Sequence, residues 1–174
     1  MSILESFYPD QWKESTYSLP FEKLYEVGYR GIIFDIDNTL VPHGADADER
    51  SIQLFKRLKE IGFKTVLLSN NKEPRVKRFN EKIGTLYIYK AGKPKKANYI
   101  KAMDLMETKK SNTLFVGDQI FTDVWGAKRI GIYSILVQPI NPKEEIQIVL
   151  KRYLERIVLY FYQKNKKERK SYGN

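Results

Sequence analysis

Two acids stand at the end of an apolar run where a strand should want none. Gly31-Ile32-Ile33-Phe34 reads as a buried strand, and Asp35 and Asp37 alternate directly after it in the stretch Phe34-Asp35-Ile36-Asp37-Asn38-Thr39-Leu40. Alternation at a strand end brings both side chains to its carboxyl edge, which is where open α/β sheets bind ligands. Two carboxylates a few ångströms apart repel each other unless a cation or a shared proton relieves them. The pair therefore implies a metal site, or a nucleophile beside an acid/base.

Three more groups fall at the ends of predicted strands. Ser69-Asn70 follows Lys64–Leu68, Lys93 directly precedes a helix opened by Pro94, and Gly117-Asp118 follows Thr113–Val116, with Asp123 five residues on. Parallel strands place all four sites on one edge of a sheet. Together they hold four carboxylates, one amine and one hydroxyl, the parts that metal-assisted phosphoryl transfer needs. Taken singly each has a plainer reading. Gly117-Asp118 alone is a turn, Ser69-Asn70 an ordinary loop, and Lys93 with Lys95 and Lys96 a solvated basic patch. Thr39 could cap the following turn and position Asp37. His43, the only histidine, reads as a loop surface residue, and Asp46 and Asp48 as a solvated turn or helix start.

The elements that must carry these residues follow from periodicity. Strands are expected at Gly31–Asp35, Lys64–Leu68, Leu86–Tyr89, Thr113–Val116 and Ile132–Val137. Helices are expected from about Asp48 to Ile61, from Pro74 to Ile83, from Pro94 to about Met106 and from about Thr122 to Arg129, several stopped by glycine. Strands alternating with helical patterns imply a doubly wound, three-layer Rossmann-like parallel sheet with helices on both faces. Met1 to Tyr29 is aromatic and irregular and reads as a packed N-terminal arm of a domain spanning residues 1–140. Residues 141–162 read as an amphipathic helix opened by Asn141-Pro142, with Ile146, Val149, Leu150, Tyr153, Ile157, Tyr160 and Phe161 on one face and Ile148, Leu159 and Tyr162 off it. Residues 163–174 read as a basic, disordered tail.

The chain has 174 residues, 42% of them hydrophobic and 13% aromatic, which suits one domain with a substantial core. The absence of cysteine excludes disulfides and cysteine-ligated zinc. The formal charge of +10 favours an anionic partner: a phosphorylated substrate, nucleic acid or an acidic lipid surface. No secretory signal is evident at Met1–Ser6, and no apolar run nears the ~20 residues of a spanning helix, so a cytoplasmic or membrane-peripheral protein is expected.

The order D-x-D-N-T, then S, then K, then G-D-x-x-x-x-D resembles the haloacid dehalogenase-like (HAD) phosphatase superfamily. The D-x-D-N-T-L form, the N-terminal arm and the short linkers look most like its small subfamily IIIA, the YqeG-type phosphatases. The resemblance covers nearly the whole chain and implies roles residue by residue. Asp35 matches the nucleophile and Asp37 the general acid/base. Ser69, the Asn70 amide and Lys93 match the phosphate-binding set, with Thr39 beside them. Mg²⁺ would be held by Asp35, the Asp37 backbone carbonyl and Asp118, with Asp123 acting through water or from behind the ligands. YqeG-type proteins include relatives acting on phosphatidylglycerophosphate, so the resemblance implies that lipid as the best candidate substrate.

The spacing adds one constraint. Thr39 to Ser69 is 30 positions and Ser69 to Lys93 is 24, each filled by one helix and one strand, so neither gap can hold a cap domain. An uncapped site is open to large substrates. The C-terminal helix, with basic flanks and Tyr/Phe, either covers the domain or lies in an anionic membrane interface. Two alternatives remain at this level: a phosphatase for nucleic-acid ends or nucleotides, and a non-enzymatic basic module binding RNA or membrane.

Overall fold

A computed structural model describes residues 3–141 and 146–171. Six parallel strands form one sheet: β1 (Gln11–Lys13), β2 (Gly31–Phe34), β3 (Lys64–Leu68), β4 (Leu86–Ile88), β5 (Thr113–Gly117) and β6 (Tyr133–Val137), in the order β1-β6-β5-β2-β3-β4. The helices are α1 (Phe21–Glu26), α2 (Glu49–Ile61), α3 (Glu73–Ile83), α4 (Lys96–Met106), α5 (Trp125–Ile130) and α6 (Ile146–Ser171). After β2 the chain runs outward through β3 and β4, then crosses back to lay β5 on the other side of β2. The strand order thus reverses between β2 and β5, and the crevice beyond their carboxyl ends is the natural binding place of such a sheet. Asp35 and Asp118 follow those two strands directly.

Alternation along the buried strands sends successive side chains to opposite layers. Ile32, Phe34, Leu67 and Val116 pack with Leu54, Phe55 and Leu58 of α2, Val76 and Phe79 of α3 and Phe21 of α1. Ile33, Val66, Leu68 and Phe115 pack with Tyr99, Ala102 and Met103 of α4 and Ala127 and Ile130 of α5. This is the expected three-layer architecture, and no cap stands over the site among the described residues. Helix α2 shows how local sequence sets its bounds. Asp48 accepts from the Ser51 amide (2.8 Å) while the Ser51 hydroxyl accepts from the Asp48 amide (3.0 Å), and Gly62 ends the helix at φ 108°. Such a cap is worth about 1 kcal/mol.

Four features depart from the sequence expectations. The N-terminal arm is not irregular: Gln11–Lys13 adds a sixth strand beside β6, and α1 follows. Asp10 fastens it, accepting from the Ser134 amide (2.8 Å) and pairing with Lys128 (2.7 Å). The arm also braces the loop after β2, because Thr16 donates to the Thr39 carbonyl (2.8 Å) and Tyr17 to that of Leu40 (2.5 Å). The helix expected from Thr122 begins instead as one wide turn, Ile120–Val124, closed by i→i+5 bonding before α5, and that turn carries Asp123. Such turns recur at functional sites.

The other two departures concern α6. The expected apolar face, where its side chains are described, does not pack. Tyr153 and Tyr160 are each 64% exposed, Leu154 49% and Ile157 45%, and Phe161 is exposed too. The inward face carries Arg152, Glu155, Val158, Leu159 and Tyr162, so two residues assigned to the outer side face inward. The periodicity located an amphipathic stripe but not its partner, because the packed face is held by polar anchors. The segment from Gln163 is helical as far as Ser171 rather than disordered. Lys, Glu, Arg and Gln are good helix formers and extend a helix already nucleated by packing. The expected Asn141-Pro142 helix start falls partly outside the described residues.

Close packing of α5 on α4 depends on Gly126, where an added Cβ would collide with the hydroxyl end of the fully buried Tyr99. Tyr99 is fixed by its hydroxyl donating to the Thr122 carbonyl (2.6 Å). Gly126→Ala is therefore expected to destabilise the fold by about 1–3 kcal/mol, read from urea unfolding midpoints at constant slope; an unchanged midpoint would contradict this packing.

Candidate active site

Asp35 continues β2 by one more ladder bond, its amide donating to the Val116 carbonyl (3.0 Å). Its carboxylate, almost fully buried, meets Lys93 Nζ at 2.6 Å, and the same ammonium reaches Asp123 Oδ1 at 2.7 Å. Thr39 lies between Asp35 Oδ2 (3.3 Å) and Asp118 Oδ1 (3.2 Å), and its single hydroxyl proton can serve one of them at a time. Oxygens of Asp35, Asp118 and Asp123 all lie within 4.8 Å of one another. Gly117 makes the gathering possible: a Cβ there would collide with the Asp123 carboxyl group. The Asp123 carboxylate is further fixed by the Gln119 amide (3.1 Å).

Burial pushes the Asp35 carboxyl up to about 7, with Lys93 pulling it back and Asp123 pushing it further. Burial and the Asp35 charge likewise raise Asp118, against the pull of Arg152. Burial alone would drive Lys93 down, but Asp123 and Asp35 outweigh it and the ammonium is held above its usual range. Three carboxylates thus share one small volume with too little positive charge to balance them.

Asp37 lies apart from that cluster. Its Oδ1 accepts from the Gly44 amide (2.7 Å) and Arg75 Nη2 (2.9 Å), and its Oδ2 from Asn71 Nδ2 (2.5 Å). Asn71 also donates to Ser69 Oγ from both its amide and its side chain (3.2 Å each), leaving the buried Ser69 hydroxyl proton for a ligand. The Asn70 side chain is spent on the backbone of Lys93, accepting from its amide (2.7 Å) and donating to its carbonyl (3.3 Å). The side chain thereby holds the lysine loop in place.

Sequence reasoning missed Asn71, Arg75, Arg152 and Glu155. Asn71 and Arg75 sit one and five positions beyond the Ser69-Asn70 pair, on a loop and a helix face that looked ordinary. Arg75 is the more telling. Its Nε and Nη1 are buried with no partner among the described residues, a costly state for a cation without a second task. Arg152 comes from α6. It pairs with Asp118 Oδ2, donates to the Asp118 carbonyl (2.6 Å) and bonds to Glu155 (3.0 Å). Buried Glu155 in turn accepts from the Ile120 amide (2.7 Å). Nothing in the sequence marks these two among the many charges of that helix.

The donor set fits a hard divalent cation. Asp35, Asp118 and Asp123 would offer it carboxylate oxygens, as Mg²⁺ prefers. His43 is an exposed loop residue, and Asp46 pairs with Arg78 at the surface (2.5 Å). Because the folded Asp35 carboxyl sits near 7 and an unfolded one near 3.9, the cluster's contribution to stability is full below about pH 4 and lost as pH rises towards 7. A cation displaces that proton. Saturating Mg²⁺ is therefore expected to raise Tm by more at pH 8 than at pH 5.5, by roughly 5–10 °C at a hundred times Kd. Asp35→Asn should flatten the pH dependence of that increment; equal increments at both pH values would contradict the cluster.

A model of the haloacid dehalogenase-like hydrolase family matches residues 45–131. The chain is 40% identical over 154 residues to the "Probable phosphatase YqeG" of Bacillus subtilis (strain 168), covering 88% of this chain and 90% of that one. Among solved structures it is similar to an uncharacterized protein from Listeria monocytogenes serotype 4b, with a TM-score of 0.53 at 19% identity, over 67% of this chain and 84% of that one. It is also similar to a hypothetical protein of Xanthomonas campestris, with a TM-score of 0.53 at 16% identity, over 74% and 75% of the two chains. At such identities the structural likenesses speak for the shared fold. The chain belongs to the haloacid dehalogenase-like hydrolase family.

Proposed function

We propose that the chain is a Mg²⁺-dependent phosphomonoesterase that works through an aspartyl-phosphate on Asp35, with phosphatidylglycerophosphate as its substrate. The observation that carries this reading is Asp35 itself: a buried carboxylate at the switch point of the sheet, on the same ammonium as Asp123 and within a carboxylate cluster suited to a cation. When bound, the cation would screen the approach of one anion to another and neutralise charge building on the phosphoryl oxygens.

The remaining work falls to this chain's own side chains. Lys93 and Thr39 aim the Asp35 carboxylate, and its oxygen attacks phosphorus as the ester bond breaks. Ser69 and the Lys93 ammonium face the transferring oxygens. Asp37, on the neighbouring turn, passes a proton to the leaving alkoxide, then takes one from the water that cleaves the aspartyl-phosphate. Asn71, Arg75 and the Gly44 amide fix its carboxylate for both steps. Phosphate monoester hydrolysis demands accelerations up to ~10²¹, whereas general acid–base help supplies about 10²–10⁴. The larger share must be electrostatic, in keeping with the density of charge here.

The lipid substrate is favoured by two features: no cap covers the site among the described residues, and α6 presents Tyr153, Leu154, Ile157, Tyr160 and Phe161 to the outside beside basic residues. No helix among the described residues is long and apolar enough to cross a membrane, so contact with a bilayer would be peripheral.

With an aryl phosphate and Mg²⁺, Asp35→Asn is expected to abolish turnover, and Asp37→Asn to lower it by about 10²–10⁴ while acid-stable phosphoenzyme accumulates. Undiminished rates in both variants would end the assignment. Arg75→Met, which loosens Asp37, should lower kcat by about tenfold or more with little change in KM; a change in KM alone would place Arg75 on the substrate instead. Vesicles carrying phosphatidylglycerophosphate are expected to be hydrolysed in preference to 3′- or 5′-phosphorylated oligonucleotides, and the reverse preference would reject the lipid.

A further inference from the structure

The inner stripe of α6 is not built like a helix face that only covers a core. Val158 and Leu159 pack with Ile120 and Val124 of the wide turn and with Leu136 of β6. One turn earlier on the same face stand Arg152 and the buried Glu155, joined at 3.0 Å. Taking two charges out of water to seat a helix on an apolar bed is unfavourable unless they meet further groups in good geometry. The groups that they meet belong to one short segment, Asp118 to Ile120.

Arg152 grips Asp118 twice. One end of its fork donates to the Asp118 carbonyl (2.6 Å), and the other pairs with Asp118 Oδ2. A rigid plane bonded to the backbone and to the carboxylate of one residue sets the angle between them. Glu155 accepts from the Ile120 amide (2.7 Å), one of the amides that the start of a helical turn leaves without an internal acceptor. That turn carries Asp123, whose carboxylate accepts from the Gln119 amide (3.1 Å). Two of the three clustered acids thus depend on the conformation of the same few residues, and α6 fixes it.

Asp118 keeps its other oxygen for the cluster. Its Oδ1 lies 3.2 Å from the Thr39 hydroxyl, which is 3.3 Å from Asp35 Oδ2. Arg152 holds Oδ2 from behind, so guanidinium and cation need not compete for one atom. Outer partners of this kind orient a ligand, and their loss costs about 10–100-fold in metal affinity. We propose that Arg152 and Glu155 are positioning residues of the metal site, through which α6 holds Asp118 and the turn bearing Asp123 in the arrangement that accepts a divalent cation. Neither is a catalytic residue; they act through Asp118 and Ile120. The inference rests on the reading of Asp35, Asp118 and Asp123 as the cation's ligands.

The test is Mn²⁺ binding to the full-length protein, followed by loss of the free-ion electron paramagnetic resonance signal. Arg152→Lys keeps the charge but not the fork, and is expected to bind Mn²⁺ about 10–100-fold more weakly than the wild type. Arg152→Gln removes a positive charge, which acting through space alone would tighten cation binding; weaker binding is expected here too. Exposed Arg156 controls for charge on the same helix, and Arg156→Gln should shift the affinity by no more than about twofold. Unchanged or tighter binding in either Arg152 variant would overturn the inference. In aryl phosphate hydrolysis Arg152→Lys should need correspondingly more Mg²⁺ yet reach the wild-type rate at saturation; a deficit that Mg²⁺ cannot restore would overturn the positioning role. The wild type adds a measurement free of mutation. Coupling is reciprocal, so Mg²⁺ should slow amide exchange from Arg152 to Val158 about tenfold more than in α2, which reports unfolding of the whole domain. Equal slowing in both helices, or none in α6, would overturn it. Wild-type protein that binds no Mn²⁺ would fail the metal-site reading itself, whereas binding that Arg152→Lys leaves untouched fails only the role of α6.

Discussion

Mutual repulsion among three buried carboxylates is the constraint around which the molecule is arranged. Asp35, Asp118 and Asp123 come together because two adjacent parallel strands end there and a wide turn returns the third acid to the same volume. Left alone they would take up protons, which is what the upward displacement of Asp35 and Asp118 expresses. Two cations answer them from different parts of the chain, Lys93 from the loop before α4 and Arg152 from α6. Removing one partner of a buried ion pair costs about 3–5 kcal/mol, so the fold tolerates this density of charge only because each acid keeps a partner.

Much of the architecture supports that arrangement at a distance. The core on both faces of the sheet fixes where β2 and β5 end. Gly117 leaves room for Asp123, and Asn70 clamps the backbone from which Lys93 projects. The N-terminal arm restrains the loop carrying Asp37 and Thr39 through Thr16 and Tyr17. Rigid support of this kind matters for electrostatic catalysis, since preorganised charges act without reorganising as the reaction proceeds.

The sequence disclosed the site better than its surroundings, and the reason is physical. Asp35, Ser69, Lys93 and Asp118 each interrupt or follow an apolar strand, and an ionisable group in such a place has few structural excuses. The inner strands were readable for the same reason: Gly31–Phe34 and Thr113–Gly117 are buried throughout. Gln11–Lys13 offers no such run and becomes a strand only by pairing with Ile135–Val137, more than a hundred residues away. Arg152 and Glu155 were illegible because a helix with eight basic and two acidic residues gives no local sign of which of them points inwards. The outward turn of the α6 stripe escaped notice likewise: periodicity reports that a face is apolar, not what it meets.

These parts meet in one geometric claim, that a cation belongs among Asp35, Asp118 and Asp123. Crystals soaked in Mn²⁺ and measured at the manganese edge test it most directly. A single anomalous peak within bonding distance of those three carboxylates is the expected result. A map without a peak there, or with a peak only elsewhere, would contradict it.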